Sequence, residues 1–227
     1  MRSKFSTSAI SGLLLLGSCI GAGAQSPTPA KVGYIRFWDM LPPANGVFEV
    51  YKAGAPASEG ALFSGTAYQY TSYTEVPTGR YRLAVTKKGD AAALKTFDVE
   101  VKQDSFFTIL LSPHGGVITA ELIDDTPDPK MTSGTLIARN YFSGVTVSVA
   151  ANTQKLVDAL PYGQSIAANG IARARVPLKL TFKLANGTIA ESTAEGNFQH
   201  SQRVTLLIIP DSYGRFCIRV TNDGTNL

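Results

Sequence analysis

Few side chains in this sequence titrate, ligate or attack at a spacing that chemistry could use. Its only histidines are His114 and His200. They fall at corresponding ends of two similar stretches, beside a turn or on an outward strand. A metal site usually draws on several His, Cys or carboxylate ligands, so these two would have to meet across a domain interface to help hold an ion. Asp124, Asp125 and Asp128 form the acidic cluster, but it lacks the glycine and closing glutamate of a calcium loop and reads as a solvated linker. Hydrolysis by serine, histidine and acid would need distant groups to converge. The Gly-x-Ser-x-Gly elbow is missing, as is the strand-to-helix step it requires. Gly115-Gly116 and the Gly21 to Gly23 run lack the lysine or helix that phosphate binding needs. Cys217 alternates with Arg215 and Arg219 and reads as an unpaired, partly buried strand thiol. This inventory leads to an expectation of no enzyme: no catalytic residue, no cofactor and no metal. A hydrolase or transferase would require His114 or His200 beside a serine and an acid.

Binding chemistry is better represented. Trp38, Tyr34, Tyr51, Tyr68, Tyr70, Tyr73 and Tyr81 crowd the first half of the chain. Rings with a polar edge suit stacking on sugars or docking a protein partner, although sandwich cores and strand edges collect aromatics too. Trp38-Asp39 ends a strand beside the Pro42-Pro43 loop, and Tyr68, Tyr70 and Tyr73 crowd a short aromatic segment. Trp38, Asp39, Tyr68, Tyr70 and Tyr73 are therefore the expected partner or glycan surface.

The elements that must position these residues are strands. From Tyr73 to Asp125, apolar residues recur at every second position, as in Tyr81, Leu83, Val85 and again Phe97, Val99, Val101. Turns at Val76 to Gly79, Lys87 to Asp90 and Gly115-Gly116 interrupt them. The polar, proline-broken segment Asp124 to Lys130 reads as a boundary, and the pattern then restarts. Gly33 to Asp39 resembles Gly134 to Asn140, an offset of 134 − 33 = 101, and Thr108 resembles Thr205, an offset of 97. Gln154 to Gly163 could be a strand entering a turn or one helical turn, Asn186-Gly187 is a hairpin signal, and Gly196-Asn197 marks a further turn. The expected fold is all-β, two consecutive antiparallel β-sandwich domains from a duplicated unit. The expected domains are 31–124 and 133–224, joined by a linker at 125–132.

Residues 1–24 read as a signal peptide, with Arg2 and Lys4 before an apolar run and Ala22-Gly23-Ala24 before the cut, and residues 25–30 as a flexible leader. Leu16-Gly17-Ser18-Cys19 also fits a lipobox, which would lipidate Cys19 and anchor the protein. Both readings place it in the periplasm, with no transmembrane helix in the mature chain. Loss of Arg2 and Lys4 lowers the formal charge from +4 to 4 − 2 = +2. Arg173-Ala174-Arg175 is the densest basic spot and falls short of a nucleic-acid footprint.

Gly33-Tyr34-Ile35-Arg36-Phe37 with Pro42-Pro43, Val47 to Tyr51, Val76 to Tyr81 and Phe107 to Leu111 together resemble the AlgF family of periplasmic alginate O-acetylation proteins or a related two-domain secreted β-sandwich family. That resemblance implies a non-catalytic adaptor in O-acetylation of an exported polysaccharide, with periplasmic or membrane-bound O-acyltransferase components as partners, and polysaccharide as a further one. The alternative is a carbohydrate-binding or surface-adhesion module using Trp38, Tyr68 and Tyr70.

Overall fold

The computed structural model describes residues 31–54, 60–114, 116–211 and 213–224, and the chain is all-β there apart from one 3-10 turn. The signal peptide, the leader and Cys19 lie outside the described residues. The first group of strands is β1 (Val32–Asp39), β2 (Phe48–Lys52), β3 (Phe63–Gly65), β4 (Gln69–Tyr70), β5 (Thr74–Pro77), β6 (Gly79–Lys87), β7 (Lys95–Val101), β8 (Phe106–His114) and β9 (Val117–Asp124). The second group is β10 (Gly134–Asn140), β11 (Val145–Ala151), β12 (Gln154–Leu160), β13 (Gln164–Ile171), β14 (Arg175–Leu184), β15 (Ile189–Asn197), β16 (Arg203–Pro210) and β17 (Phe216–Asp223).

Each group makes two sheets, giving two β-sandwich-like domains. In the first, β4-β1-β8-β9, with β5 also on β1, faces β3-β2-β6-β7. In the second, β13-β10-β16-β17 faces β12-β11-β14-β15. The order of the second matches that of the first strand for strand. Tyr34 pairs with Phe106 and Thr135 with Arg203, so the offsets are 135 − 34 = 101 and 203 − 106 = 97, as in the sequence. Most pairings are antiparallel, but β1 runs parallel to β8 and β10 parallel to β16. The sequence expectation was two antiparallel β-sandwich domains, and the one parallel pair within each is a detail that the alternation does not show. A parallel pair needs a long crossover, and here the whole opposite sheet lies between its two strands in sequence.

The sheets differ in pattern because their surroundings differ. On β14, Val176, Leu178, Leu180 and Phe182 point inward while Arg175, Lys179 and Lys183 face water, the alternation of a sheet solvated on one side. The strands β1, β8 and β16 are instead buried on nearly consecutive residues, including Ile109-Leu110-Leu111 and Leu206-Leu207-Ile208-Ile209. Ile35, Phe37, Ile109 and Leu111 fill the first sandwich. The opposite face of the same strands packs against the second domain through Trp38, Met40, Leu110, Tyr141, Leu207 and Ile209. Each fully buried aliphatic or aromatic side chain contributes roughly 1.5–3 kcal/mol, so this joint is a third core.

Two local expectations change, and an open one is resolved. Val76-Pro77, read as a turn, ends β5, which pairs with β1 from Val32↔Pro77 to Ile35↔Thr74. Pro77 is tolerated there because the strand is at an edge and donates no ladder bond at that residue. Gln154 to Leu160 is a strand, β12. Gly196 is no turn but sits in β15 opposite Val176. A Cβ on Gly196 would lie 2.5 Å from the Phe198 ring, and so would one on Gly134. The fully buried Phe198 fills the space between the two sheets because both residues lack side chains.

Candidate functional site

The expected aromatic surface is divided by the fold. Trp38 is 1% exposed, and Asp39 is buried beside it. Both were expected at the surface, but β1 is central in its sheet and covered on both faces. Tyr68 is half-buried against the core that holds Trp38 and Met40. Tyr70 is partly exposed, its ring centroid 5.8 Å from the Arg219 guanidinium carbon of the second domain. Tyr73 is turned into the joint, where its hydroxyl donates to Asp125 Oδ2 at 2.9 Å and accepts the Gly224 N–H at 3.1 Å.

Tyr73 belongs to a charged network at one end of that joint. Arg36 lies between the Trp38 and Tyr73 rings, 3.8 and 4.3 Å from their centroids. Its Nη2 donates to Asp223 Oδ1 at 2.5 Å and Asp125 Oδ2 at 3.4 Å, and its Nε donates to Thr108 Oγ1 at 2.7 Å. Thr108 in turn donates to Asp125, and Thr205 to Asp223 Oδ2 at 2.6 Å. Asp125 and Asp223 are matching residues of the two domains, each held by the matching threonine. Arg203 closes the set on Asp125 Oδ1 at 3.1 Å, so two carboxylates face two guanidinium groups. Burial raises the Asp223 carboxyl above its usual range while Arg36 pulls it back, and burial with the Asp125 charge raises the Tyr73 phenol. Asp125, expected in a solvated linker, is 4% exposed. Asp128 nearby exchanges two hydrogen bonds with Gln202, its N–H to Oε1 at 2.7 Å and Nε2 to its carbonyl at 2.6 Å.

The domains also differ at matching positions. Asp39 and Asn140 each accept an N–H two residues on, from Leu41 and Phe142, both at 3.0 Å. The Asn140 Nδ2 then donates to the carbonyls of Val145 at 2.9 Å and Leu160 at 3.1 Å. Asp39 Oδ2 has no partner among the described residues. Burial pushes the Asp39 carboxyl up to about 6, against the lowering effect of the Leu41 N–H.

A second difference makes a cleft. In the first domain residues 40–47 join β1 to β2, with Leu41 buried and Pro43–Asn45 in a 3-10 turn over that end. In the second, only residues 141–144 join β10 to β11, and Phe142 stays partly exposed. Conversely, residues 211–215 join β16 to β17 where the first domain has only 115–116. The shortened cap leaves a cleft of ≈ 720 Å³ floored by Phe142, Val145, Leu184, Phe216, Cys217 and Ile218. Phe216 stacks on Phe182 at 4.5 Å and meets Phe142 edge-on at 6.2 Å. The longer loop supplies the rim. Asp211 accepts the N–H groups of Arg215 (2.9 Å) and Tyr213 (2.8 Å) and the Arg215 Nε (2.9 Å), which hold its carboxyl below the usual range. Arg215 lies 5.1 Å from the centroid of Tyr213, which is 81% exposed. A second lobe of ≈ 430 Å³ shares Val145 and Leu184 and is bounded by Pro161, Tyr162 and Lys183. An apolar floor with aromatic rings and a hydrogen-bonding rim can hold a ligand that has apolar faces and polar edges.

His114 and His200 are both exposed, one closing β8 and the other preceding β16. Cys217 is half-buried on the cleft floor. Among the described residues there is no group of three or more His, Cys, Asp or Glu arranged to hold a metal ion, and no helix long and apolar enough to cross a membrane. Sequence reasoning passed over Arg36, Tyr213 and Phe216. The unequal loop lengths between otherwise matching strands are the signal that could have found the cleft.

Fold and site together define a tandem β-sandwich protein with an apolar-floored cleft at one end of the second domain. No family profile matches the chain, and no curated protein does. Among solved structures, it is similar to a family 26 carbohydrate-binding module of Eubacterium rectale Amy13K in complex with maltoheptaose. That match has 13% identity and a TM-score of 0.27, covering 86% of this chain and 98% of that one. It is also similar to family 41 α-glucan-recognising modules from streptococcal virulence factors, at 12% identity and a TM-score of 0.27, covering 85% and 98%. A candidate cell adhesion protein of Bacteroides uniformis matches at 10% identity and a TM-score of 0.21, covering 86% and 99%. The expected role in alginate O-acetylation, with acyltransferase partners, is withdrawn, because no family profile and no curated protein matches the chain to support it. The residues that suggested it, such as Val76 to Tyr81 and Phe107 to Leu111, lie in β5, β6 and β8, where their pattern is that of sandwich strands.

Proposed function

We propose that this chain is a non-catalytic carbohydrate-binding or surface-adhesion module, working outside the cytoplasm and holding a glycan in the end cleft of its second domain. The observation that carries this reading is the opened cap: where the first domain buries Leu41 in its core, the second presents Phe142 and Phe216 beside Asp211 and Arg215, with the exposed Tyr213 next to Arg215. A sugar ring has C–H faces that suit the Phe216 and Tyr213 rings, and hydroxyls that suit the rim carboxylate and guanidinium. Calorimetric titration of the full chain with maltoheptaose and cellohexaose, followed by a broad glycan array, tests it. Phe216→Ala and Tyr213→Ala should each weaken binding about tenfold, the loss of one aromatic contact of ~1.4 kcal/mol. Tyr213 is so exposed that its removal should leave the melting temperature unchanged. Silence across the array, or affinity indifferent to both substitutions, would refute the proposal.

A further inference from the structure

The second lobe of the cleft points toward the joint between the domains. It shares the Val145–Leu184 ridge with the first lobe and ends at Tyr162, which is 37% exposed. The residue after Tyr162 abuts the first domain: a Cβ placed on Gly163 would lie 3.1 Å from the carbonyl oxygen of Pro113, near the end of β8. Tyr68 is seated on the joint core with Trp38, Met40 and Tyr141, and Asn140, the residue before Tyr141, accepts the Gly163 N–H at 2.7 Å. Its backbone has φ +52, a conformation that costs a non-glycine residue on the order of 1 kcal/mol and is kept where surrounding structure enforces it. The Tyr68 phenol is pushed up to about 12, first by burial and then by the proximity of Tyr162.

From this juxtaposition, and resting on the glycan reading above, we propose that the binding track does not stop at the cleft. It crosses Tyr162 onto Tyr68 of the first domain, so that the ligand is an oligosaccharide long enough to bridge both domains. Phe216 and Tyr213 hold one part of the chain, and Tyr162 and Tyr68 hold the part that runs over the seam. The apolar joint and the Arg36 network then have a binding consequence, since they fix the spacing between the two halves of the track.

The test compares short and long ligands on the full chain: maltose against maltoheptaose, and cellobiose against cellohexaose. The long member of the bound series should bind at least tenfold more tightly than the short one. Tyr162→Ala, on an exposed loop, and Tyr68→Ala should remove that gain. Tyr68→Phe, which keeps the ring and the fold, should retain it. Phe216→Ala should weaken both lengths alike. A length gain that survives Tyr162→Ala, or no gain in the unmodified chain, overturns the bridging track while leaving the cleft intact. Failure of every glycan of either length to bind the unmodified chain overturns both readings.

Discussion

Replacing Asp39 with asparagine should stabilise the protein, and by an amount that depends on pH. Asp39 sits where the second domain has Asn140, whose amide donates to two buried carbonyls. The carboxylate can donate nothing, and its buried Oδ2 has no partner among the described residues. Its carboxyl is raised from 3.8 to about 6, so the folded state holds the proton more tightly than the unfolded chain. This contribution to stability is complete below about pH 4, declines as pH rises through the window to about 6, and is absent above it. A shift of roughly two units corresponds to about 3 kcal/mol at neutral pH. Asp39→Asn carries its donors at every pH. It should change stability little at about pH 4 and add ~1–3 kcal/mol at about pH 7.5, a rise of ~2–10 °C in Tm for a chain of this size. Urea unfolding of both proteins at the two pH values measures this directly. A gain of equal size at both pH values would show that titration of Asp39 is not the cause, and a loss at pH 7.5 would show that the Asn140 arrangement does not transfer to the first domain.

Arg36→Met should cost about 3–5 kcal/mol at neutral pH, because two buried carboxylates lose their shared counter-charge, and denaturant unfolding should show it. Its deficit should shrink in acid, where the carboxylates can take up protons. Trp38→Ala should cost a further ~3–5 kcal/mol by opening a cavity in the joint core, with glycan affinity falling only for long ligands if the domains loosen against each other. Gly134→Ala should destabilise by about 1–3 kcal/mol through overpacking against Phe198, readable as a lower urea midpoint.

Much of the architecture is legible in the residues. Alternation on β6, β7 and β14, the Asn186-Gly187 turn and the matching offsets of 101 and 97 are local consequences of the pleat and of duplication. Which face of a strand meets which partner is not local. Val32, Tyr34 and Arg36 sit on one side of β1 by simple counting, and nothing in that count shows that the second domain meets Arg36 and Trp38. The clue lies in β8 and β16, where Ile109-Leu110-Leu111 and Leu206 to Ile209 do not alternate. Such unbroken apolar runs belong to strands buried on both faces. Trp38 and Asp39 were expected at the surface because a strand end beside a proline loop is often exposed. Here Trp38 packs into the joint with the second domain, while Leu41 of that loop turns into the first core. The cleft was hidden because it arises from a difference in loop length between the two copies, and neither loop is distinctive alone.

The central claim is that the open end of the second domain is the binding surface. Backbone amide resonances of the full chain, followed during titration with maltoheptaose and with cellohexaose, test it most directly. The account predicts that one of these ligands shifts residues 142–146, 161–163, 183–185 and 211–218 in a saturable manner, with Tyr68 joining them. Saturable shifts confined to the outer face of β2, β6 and β7, or none with any glycan that the protein retains on an array, would contradict it.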